Sequence, residues 1–250
     1  MTMPRQKLEQ EPSLAVKSLK VASMVCELER EFGEPQLAQR PDPLTCLIST
    51  ILSQNTNDRN RDKALSGLRE RFPTWEDVAR APARQIAEAI KIGGLANQKS
   101  QRIKDILQWI EQSQGRLSLD FICSMSLQQA METLGGLKGV GLKTSSVVLL
   151  FACGKEVFPV DTHIARICRR TGLVSPKAPA EKIFHQMQVL VPPGRALSFH
   201  LNLIKLGRTI CHARTPLCPR CPIKDHCDYW QELQKGECEG AHFINQKTGG

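Results

Sequence analysis

Apolar residues recur at intervals of three and four along most of the chain, the spacing that places them on one face of an α-helix. The stripes comprise Leu14, Val21, Met24, Val25 and Leu28; Leu44, Leu47, Ile48, Ile51 and Leu52; Ile103, Ile106, Leu107 and Ile110; Val147 to Phe151; Ile183, Phe184, Met187 and Leu190; and Leu197, Leu201 and Ile204. No segment sustains the strict alternation of apolar and polar residues that is typical of a half-buried strand. The pattern therefore predicts an all-α protein.

Residues 135–150, GGLKGVGLKTSSVVLL, come close to the phosphate-binding pattern G-x-x-x-x-G-K-[ST]. Leu142 adds one residue between Gly141 and Lys143, and the preceding SLQQAMETLGG has the pattern of a short helix. A P-loop must follow a buried strand, so this interpretation fails. The segment instead predicts a helix-hairpin-helix, in which the exposed amides of Gly139 and Gly141 can bind a phosphate group.

The overall charge agrees with a polyanionic partner. Lys and Arg outnumber Asp and Glu by 34 to 25, which gives a net charge of +9 in 250 residues. No apolar run reaches the roughly 18 to 20 residues of a membrane helix, and the first residues are too polar for a signal peptide. We therefore expect a cytoplasmic, nucleoid-associated protein of prokaryotic type without a targeting segment.

Ten cysteines in a reducing compartment point to metal binding before a disulfide framework. Six are scattered, but four follow the spacing C-x6-C-x2-C-x5-C; they are Cys211, Cys218, Cys221 and Cys227. Four thiolates within seventeen residues suit one compact inorganic centre. A structural zinc site is the alternative, but it usually has two close cysteine pairs, so the spacing favours a [4Fe–4S] cluster.

Three motifs occur in order: LKGVGLKT, PVDTHIAR and the four-cysteine loop. Together they resemble the endonuclease III family of helix-hairpin-helix DNA glycosylases, over about residues 14–230. The resemblance implies a six-helix bundle and a discontinuous four-helix iron–sulfur domain. The expected ranges are 36–155 for the bundle, 13–35 with 156–230 for the iron–sulfur domain, and 1–12 and 235–250 for flexible tails. One departure is Lys138, where many members carry proline.

Lys143 and Asp161, eighteen residues apart, match the catalytic pair of the family. The domain ranges place one in each domain. An unprotonated lysine amine can attack C1′ of the deoxyribose and form a Schiff base. An aspartate can help to deprotonate the lysine or stabilise the positive charge that grows on the sugar. Without the resemblance, Lys143 would be read as a solvated first-turn lysine, and Asp161 as the N-cap of the helix THIARICRR.

The resemblance also implies residues that open the duplex, because an enzyme that acts on a base must extrude the nucleotide. In ILSQNTND, Asn55 aligns with the side chain that fills the gap, although Gln54 stays an alternative; residues 53–57 are called the plug loop. Leu95 matches a wedge against the orphaned base, and residues 93–95 are called the wedge loop. Asp58 matches an aspartate near the pocket, or caps a helix. Further expected DNA contacts are Asn97, Lys99, His163 and Arg214.

These features predict a bifunctional DNA glycosylase and AP lyase of base excision repair that removes oxidised pyrimidines such as thymine glycol. Its partner would be double-stranded DNA with a damaged base or abasic site, bound by a monomer. The cofactors would be a [4Fe–4S] cluster and a monovalent cation at the hairpin. Two alternatives stay open. One is a glycosylase for mismatched uracil or thymine or for 5-methylcytosine, and the other is a non-catalytic iron–sulfur protein that binds DNA.

Overall fold

Helices form all the regular secondary structure in the part of the chain that the computed structural model describes, which is residues 13–244, with side chains to residue 236. No strand occurs within these residues, so the prediction of an all-α protein is confirmed. In the same range, no helix combines the length and the apolar character that crossing a membrane demands.

Thirteen α-helices are found between residues 13 and 244. They are α1 (Leu14–Phe32), α2 (Pro43–Leu52), α3 (Asp58–Arg71), α4 (Trp75–Arg80), α5 (Ala83–Ala89), α6 (Ala96–Gln114), α7 (Phe121–Ser124), α8 (Leu127–Gly135), α9 (Leu142–Phe151), α10 (Thr162–Arg170), α11 (Ala180–Leu190), α12 (Ala196–Thr209) and α13 (Asp228–Ile244). Short 3₁₀ helices occupy Lys91–Gly93, Cys218–Arg220 and Lys224–His226.

The chain divides into two compact units. The bundle unit is Gln36–Asp161 and contains α2 to α9; the cysteine unit is Met1–Pro35 with Thr162–Gly250 and contains α1 and α10 to α13. The second boundary follows Asp161, whereas the sequence predicted it after residue 155. Asp161 therefore belongs to the same unit as Lys143, so the expectation of one catalytic residue from each domain is wrong.

Four helices of the bundle unit, α2, α3, α4 and α8, begin where a local side chain accepts a hydrogen bond from one of their first amides. The Asp42 carboxylate accepts from the Thr45 amide at 2.7 Å, and Pro43 occupies the first turn, where a missing N–H costs nothing. Ser126 and Gln129 form a reciprocal capping box at the start of α8. The apolar stripe of α2 is then fully buried, as the periodicity predicts.

Helix α12 buries a different face from the one that the periodicity predicts. Leu197, Leu201 and Ile204 are each partly exposed. The buried face instead carries Phe199, Leu203 and Leu206, together with Ala196 and Asn202. Because apolar residues occur on both faces of this helix, periodicity predicts the helix but not which face is buried.

The C-terminal helix α13 continues to Ile244, through residues 235–244, where the sequence analysis expected a tail. Its periodic character is weak from residue 235 onward, which is why the pattern missed it. The expected tail segments 1–12 and 245–250 lie outside the described residues.

One disulfide joins Cys123, at the end of α7, to Cys153, just after α9, with 4.9 Å between their Cα atoms. The sequence predicts no partner for either cysteine, since a spacing of 30 residues carries no signal for pairing. The bond closes a loop that contains α8, the hairpin and α9. Closing a loop of that length restricts the unfolded chain and stabilises the fold by about 3–4 kcal/mol.

Candidate nucleic-acid interface and cysteine centre

The glycine-rich segment forms a hairpin between two helices, as predicted. Helix α8 ends at Gly135 and α9 begins at Leu142, with residues 136–141, called the hairpin loop, between them. Val140 anchors this loop in the core, whereas Gly139 and Gly141 are exposed. Gly139 has φ +82°, a conformation that side chains rarely adopt. The loop therefore presents two glycine backbones to solvent from a fixed apolar base.

Lys143 is the second residue of α9 and is exposed. The added Leu142 occupies the first helical position, so the lysine lies on the first turn of the helix rather than in the loop. Asp161 is the last residue of the bundle unit, directly before α10, and is half-buried. Both predicted catalytic residues thus lie at the starts of helices, with side chains that solvent reaches.

In the plug loop, the two candidate amides have different surroundings. The Gln54 side chain donates to the carbonyl of Gly139 at 3.3 Å and accepts from the guanidinium of Arg102. Asn55 is exposed and has φ +53°, in the left-handed region. Gln54 therefore holds the plug loop to the hairpin loop, while the Asn55 side chain projects from it.

Asp58 begins α3 and does not cap it. Its neighbour Asn57 is the N-cap, and the Asn57 side chain accepts from the Asn60 amide at 2.9 Å. Asp58 Oδ1 instead lies 3.1 Å from Arg61 Nη1, one turn along the helix. The alternative of an N-cap at Asp58 is thus wrong by one residue, because either side chain suits a cap and the backbone turns at Asn57.

The wedge loop carries an exposed apolar side chain on an unfavourable backbone. Leu95 is 50% exposed and has φ +49° and ψ +35° as the N-cap of α6. A non-glycine residue in this region costs about 1–3 kcal/mol and persists only where its surroundings enforce it. Asn97, two residues further on, is also exposed. The strain and the exposed leucine occur together at the residue that the sequence predicts as the wedge.

Lys99 does not reach the surface, contrary to the expected phosphate contact. Its side chain is 1% exposed, and its ammonium donates to the carbonyl oxygens of Leu52 and Gly93, each at 2.8 Å. Burial, and to a smaller extent the charge of Arg102, lowers the pKa of this ammonium below its usual value. The sequence contains a signal for this burial, since Lys99 falls on the apolar stripe of Ile103, Ile106 and Ile110.

Arg102, which the sequence analysis missed, lies one turn beyond Lys99 on α6. Its guanidinium packs across Gly139, where an added Cβ would overlap it, and it donates to the Gln54 side chain. Helix α6 therefore carries two basic residues that hold three loops: Lys99 holds the ends of the plug and wedge loops, and Arg102 holds the plug and hairpin loops.

In the cysteine unit, all four cysteines of the cluster motif line one cavity. Burial raises the pKa of Cys221 to about 12, and it also raises the pKa values of Cys218 and Cys227. Over the described residues, no group of three or more His, Cys, Asp or Glu side chains has the arrangement that holds a metal ion. The four thiols therefore surround a common space, and burial favours the neutral form of Cys218, Cys221 and Cys227.

Arg170, at the end of α10, contacts both ends of this cysteine loop. Its guanidinium donates to Cys211 Sγ at 3.2 Å and to the carbonyl of His212 at 2.7 Å, while the Cys227 thiol donates to its backbone carbonyl at 3.3 Å. The ring of Tyr229 lies 4.9 Å from the guanidinium carbon. One arginine thereby joins the first and last cysteines of the motif.

The two other predicted DNA contacts of this unit differ in exposure. Arg214 is exposed in the loop between Cys211 and Cys218. His163 is half-buried, with Nδ1 3.0 Å from Arg166 Nη2, and its side chain packs against Gly207. The surroundings of His163 are those of a packed histidine, whereas Arg214 lies where a phosphate can reach it.

Gly139 and Gly141 provide a matched pair for testing the hairpin. We expect Gly139→Ala to lower the free energy of unfolding by about 1–3 kcal/mol, because φ is positive and the new methyl group would displace Arg102. Gly141→Ala should change it by less than about 0.5 kcal/mol, since φ is −102° and its Cβ position is open. Urea unfolding of both variants measures this, and equal effects would contradict the described hairpin.

Comparison with known proteins agrees with this architecture. The profile of the HhH-GPD superfamily base excision DNA repair proteins matches residues 48–193. Endonuclease III of Thermotoga maritima is 34% identical over 216 residues, which cover 86% of this chain and 97% of that protein. Thymine-DNA glycosylase of Aeropyrum pernix is 30% identical over 212 residues, covering 82% and 91%.

Solved structures show the same fold. A non-covalent endonuclease III–DNA complex aligns with a TM-score of 0.75 at 23% identity, covering 87% of this chain and 98% of that one. A thermostable thymine-DNA glycosylase aligns with a TM-score of 0.73 at 24% identity, covering 87% and 99%. With the hairpin, the cysteine motif and these matches together, the chain belongs to the endonuclease III family, within the HhH-GPD superfamily of base excision DNA repair proteins.

Proposed function

We propose that this chain, a base excision repair DNA glycosylase by family, is bifunctional and uses Lys143 both to release the base and to open the strand. The observation that carries the proposal is the position of the amine. Lys143 is exposed on the first turn of α9, two residues after the hairpin glycine Gly141. A DNA backbone held by the hairpin loop would therefore lie close to the amine of Lys143, which can act as the nucleophile.

The chemistry requires one nucleophile and one carboxylate. Lys143 Nζ forms a bond to C1′ as the bond from C1′ to the base breaks, and the base leaves with the electron pair and takes up a proton. The amine nitrogen gives up one proton and then expels O4′, so the C1′–O4′ bond breaks, O4′ takes up a proton and the ring opens to a protonated imine. The imine lets a proton leave C2′, and cleavage of the C3′–O bond then expels the 3′ phosphate. Asp161, half-buried at the end of the same unit, would stabilise the positive charge on the sugar or accept the proton of the lysine.

Helix N-termini support the proposed grip on DNA. Helices α2, α3, α4 and α8 begin with side-chain caps, whereas α6 and α9 have none. Helices α5 and α7 of the same unit also begin without a side-chain cap, but α6 and α9 are the helices that follow the wedge and hairpin loops. Their first amides can donate to phosphate oxygens, and the helix dipole favours an anion there. The expected monovalent cation would bind hairpin carbonyls and stays a prediction.

The surroundings of the two amides favour Asn55 as the plug. Gln54 already makes hydrogen bonds to Arg102 and Gly139, which it would have to break before entering the base stack. Asn55 is exposed and makes no such contact with the hairpin. We therefore assign the plug to Asn55, the wedge to Leu95 and phosphate contacts to Asn97 and Arg214.

The four cysteines Cys211, Cys218, Cys221 and Cys227 would hold the [4Fe–4S] cluster. The lining of one shared cavity by four thiols suits a four-iron centre, and their C-x6-C-x2-C-x5-C spacing lacks the two close cysteine pairs that are usual for a structural zinc ion. Binding must displace the protons that burial favours on Cys218, Cys221 and Cys227. The cluster would stiffen the loop that carries the exposed Arg214.

Oxidised pyrimidines are the first candidate substrate, and mismatched thymine is the second. The thymine-DNA glycosylase of Aeropyrum pernix is 30% identical over 82% of this chain, which supports mismatched thymine as the second candidate substrate. A panel of duplexes, each with one thymine glycol or one G·T or G·U mismatch, separates them when base release and strand nicking are scored independently.

Borohydride trapping tests the nucleophile. The reagent reduces the Schiff base, so the wild-type protein should form a covalent adduct with damaged DNA, and Lys143→Gln should lower its yield by about 10³-fold or more. Lys138→Gln is the matched control, because Lys138 is an exposed lysine of the hairpin loop that directly precedes α9. A persistent adduct with Lys143→Gln, or its loss with Lys138→Gln, would overturn the assignment.

The plug assignment is tested by Asn55→Gly and Gln54→Ala. Glycine keeps the positive φ of residue 55 without strain, so Asn55→Gly should leave the melting temperature unchanged and lower kcat/KM on a paired duplex by about tenfold, or 1.4 kcal/mol. Gln54→Ala removes two hydrogen bonds and should lower stability by about 1–2 kcal/mol. Steady-state kinetics and thermal unfolding of both variants test the assignment. A loss of kcat/KM with Gln54→Ala, and only a loss of stability with Asn55→Gly, would make Gln54 the plug.

A further inference from the structure

Lys99 is among the largest fully buried side chains in the described part of the chain, yet it ends in an ammonium group. Such a group is costly to bury unless it is hydrogen-bonded. Lys99 Nζ meets this requirement with two backbone carbonyls, each at 2.8 Å. The two carbonyl oxygens therefore fix the position of the ammonium, and the ammonium in turn holds the two carbonyls.

Each of the two carbonyls belongs to a residue at the end of a helix, where one of the two loops begins. Leu52 is the last residue of α2, and the plug loop begins at the next residue. Gly93 ends the 3₁₀ helix and opens the wedge loop, with Leu95 two residues further on. The ammonium thus joins two segments that are about forty residues apart in sequence, at the point where each leaves its helix.

Both loops also carry a strained backbone. Asn55 and Leu95 are the two non-glycine residues with positive φ within the described range. Each lies two or three residues beyond a carbonyl that Lys99 holds. Leu95 is half exposed, so packing of its own side chain does not explain the conformation. Strain of this kind persists where surrounding contacts enforce it.

We propose that Lys99 is a positioning residue whose buried ammonium fixes the plug loop and the wedge loop relative to each other, so that Asn55 and Leu95 enter the duplex together. This inference rests on the proposed function for the roles of those two side chains. Arg102 extends the same arrangement, since it links Gln54 of the plug loop to the hairpin loop at Gly139. Lys99 itself would not touch DNA.

Helix α6 supplies a matched control. Lys104, also on α6 and half-buried, donates to the carbonyl oxygens of Ala79 and Ala81 at 3.0 and 2.6 Å. These carbonyls lie at the end of α4, away from the plug and wedge loops in sequence. Lys99→Met and Lys104→Met therefore remove the same group and leave two carbonyls each, but only the first variant affects the plug and wedge loops.

The test is a binding experiment that needs no chemistry. A duplex carries a tetrahydrofuran abasic analogue opposite 2-aminopurine, whose fluorescence rises when insertion unstacks it. At saturating protein, the wild type, Lys104→Met and Lys143→Gln should give the full rise, and Lys99→Met less than half of it. Lys99→Met should also bind this duplex about tenfold more weakly, but bind a duplex with an already unstacked single-nucleotide bulge within threefold of wild type.

Equal weakening on both duplexes, a full fluorescence rise with Lys99→Met, or the same loss with Lys104→Met would overturn the proposal. Failure of the proposed lyase chemistry appears elsewhere, in the borohydride assay, and leaves this signal in place. If Lys99→Met does not fold, Lys99→Gln serves, because its shorter amide can still donate to one carbonyl. It should then give an intermediate fluorescence rise, and a full rise would count against the proposal.

Discussion

The buried ammonium of Lys99 and its two carbonyl acceptors are the constraint on which the arrangement of the bundle unit depends. Hydrogen bonds to a charged group contribute about 1.5–3 kcal/mol each, more than most neutral ones. Here they join the end of α2 to the start of the wedge loop. One turn along α6, Arg102 adds the plug and hairpin loops to the same framework. Three loops with proposed DNA contacts are thus held from one helix.

This framework explains why the proposed contacts combine exposed side chains with a rigid base. Val140 is buried between two exposed glycines, and Asn55 and Leu95 keep strained backbones beside anchored carbonyls. A protein that inserts side chains into DNA meets the cost of ordering those loops either on binding or on folding. In this chain the cost falls on folding, because the contacts that order the loops lie within the bundle unit itself.

Sequence reasoning reached the fold class, the hairpin and the cysteine motif, because each depends on local spacing. It failed where the environment of a residue depends on a partner that is distant in sequence. Its basic side chain predicts a surface position for Lys99, whereas its place on the stripe of Ile103 and Ile106 indicates the burial that the structure shows. The disulfide of Cys123 and Cys153 joins two segments that come together only when the chain folds. The contacts of Arg102 and Arg170 likewise depend on loops distant in sequence, which no local pattern encodes.

Crystal structures of the free protein and of its complex with abasic-analogue DNA test the central claim most directly. The account predicts that Lys99 Nζ stays within hydrogen-bonding distance of the Leu52 and Gly93 carbonyls in both states. It also predicts that the backbones of the plug, wedge and hairpin loops superpose within about 1 Å on α6. Loops that are rearranged in the free protein, with the Lys99 contacts formed only in the DNA complex, would contradict it.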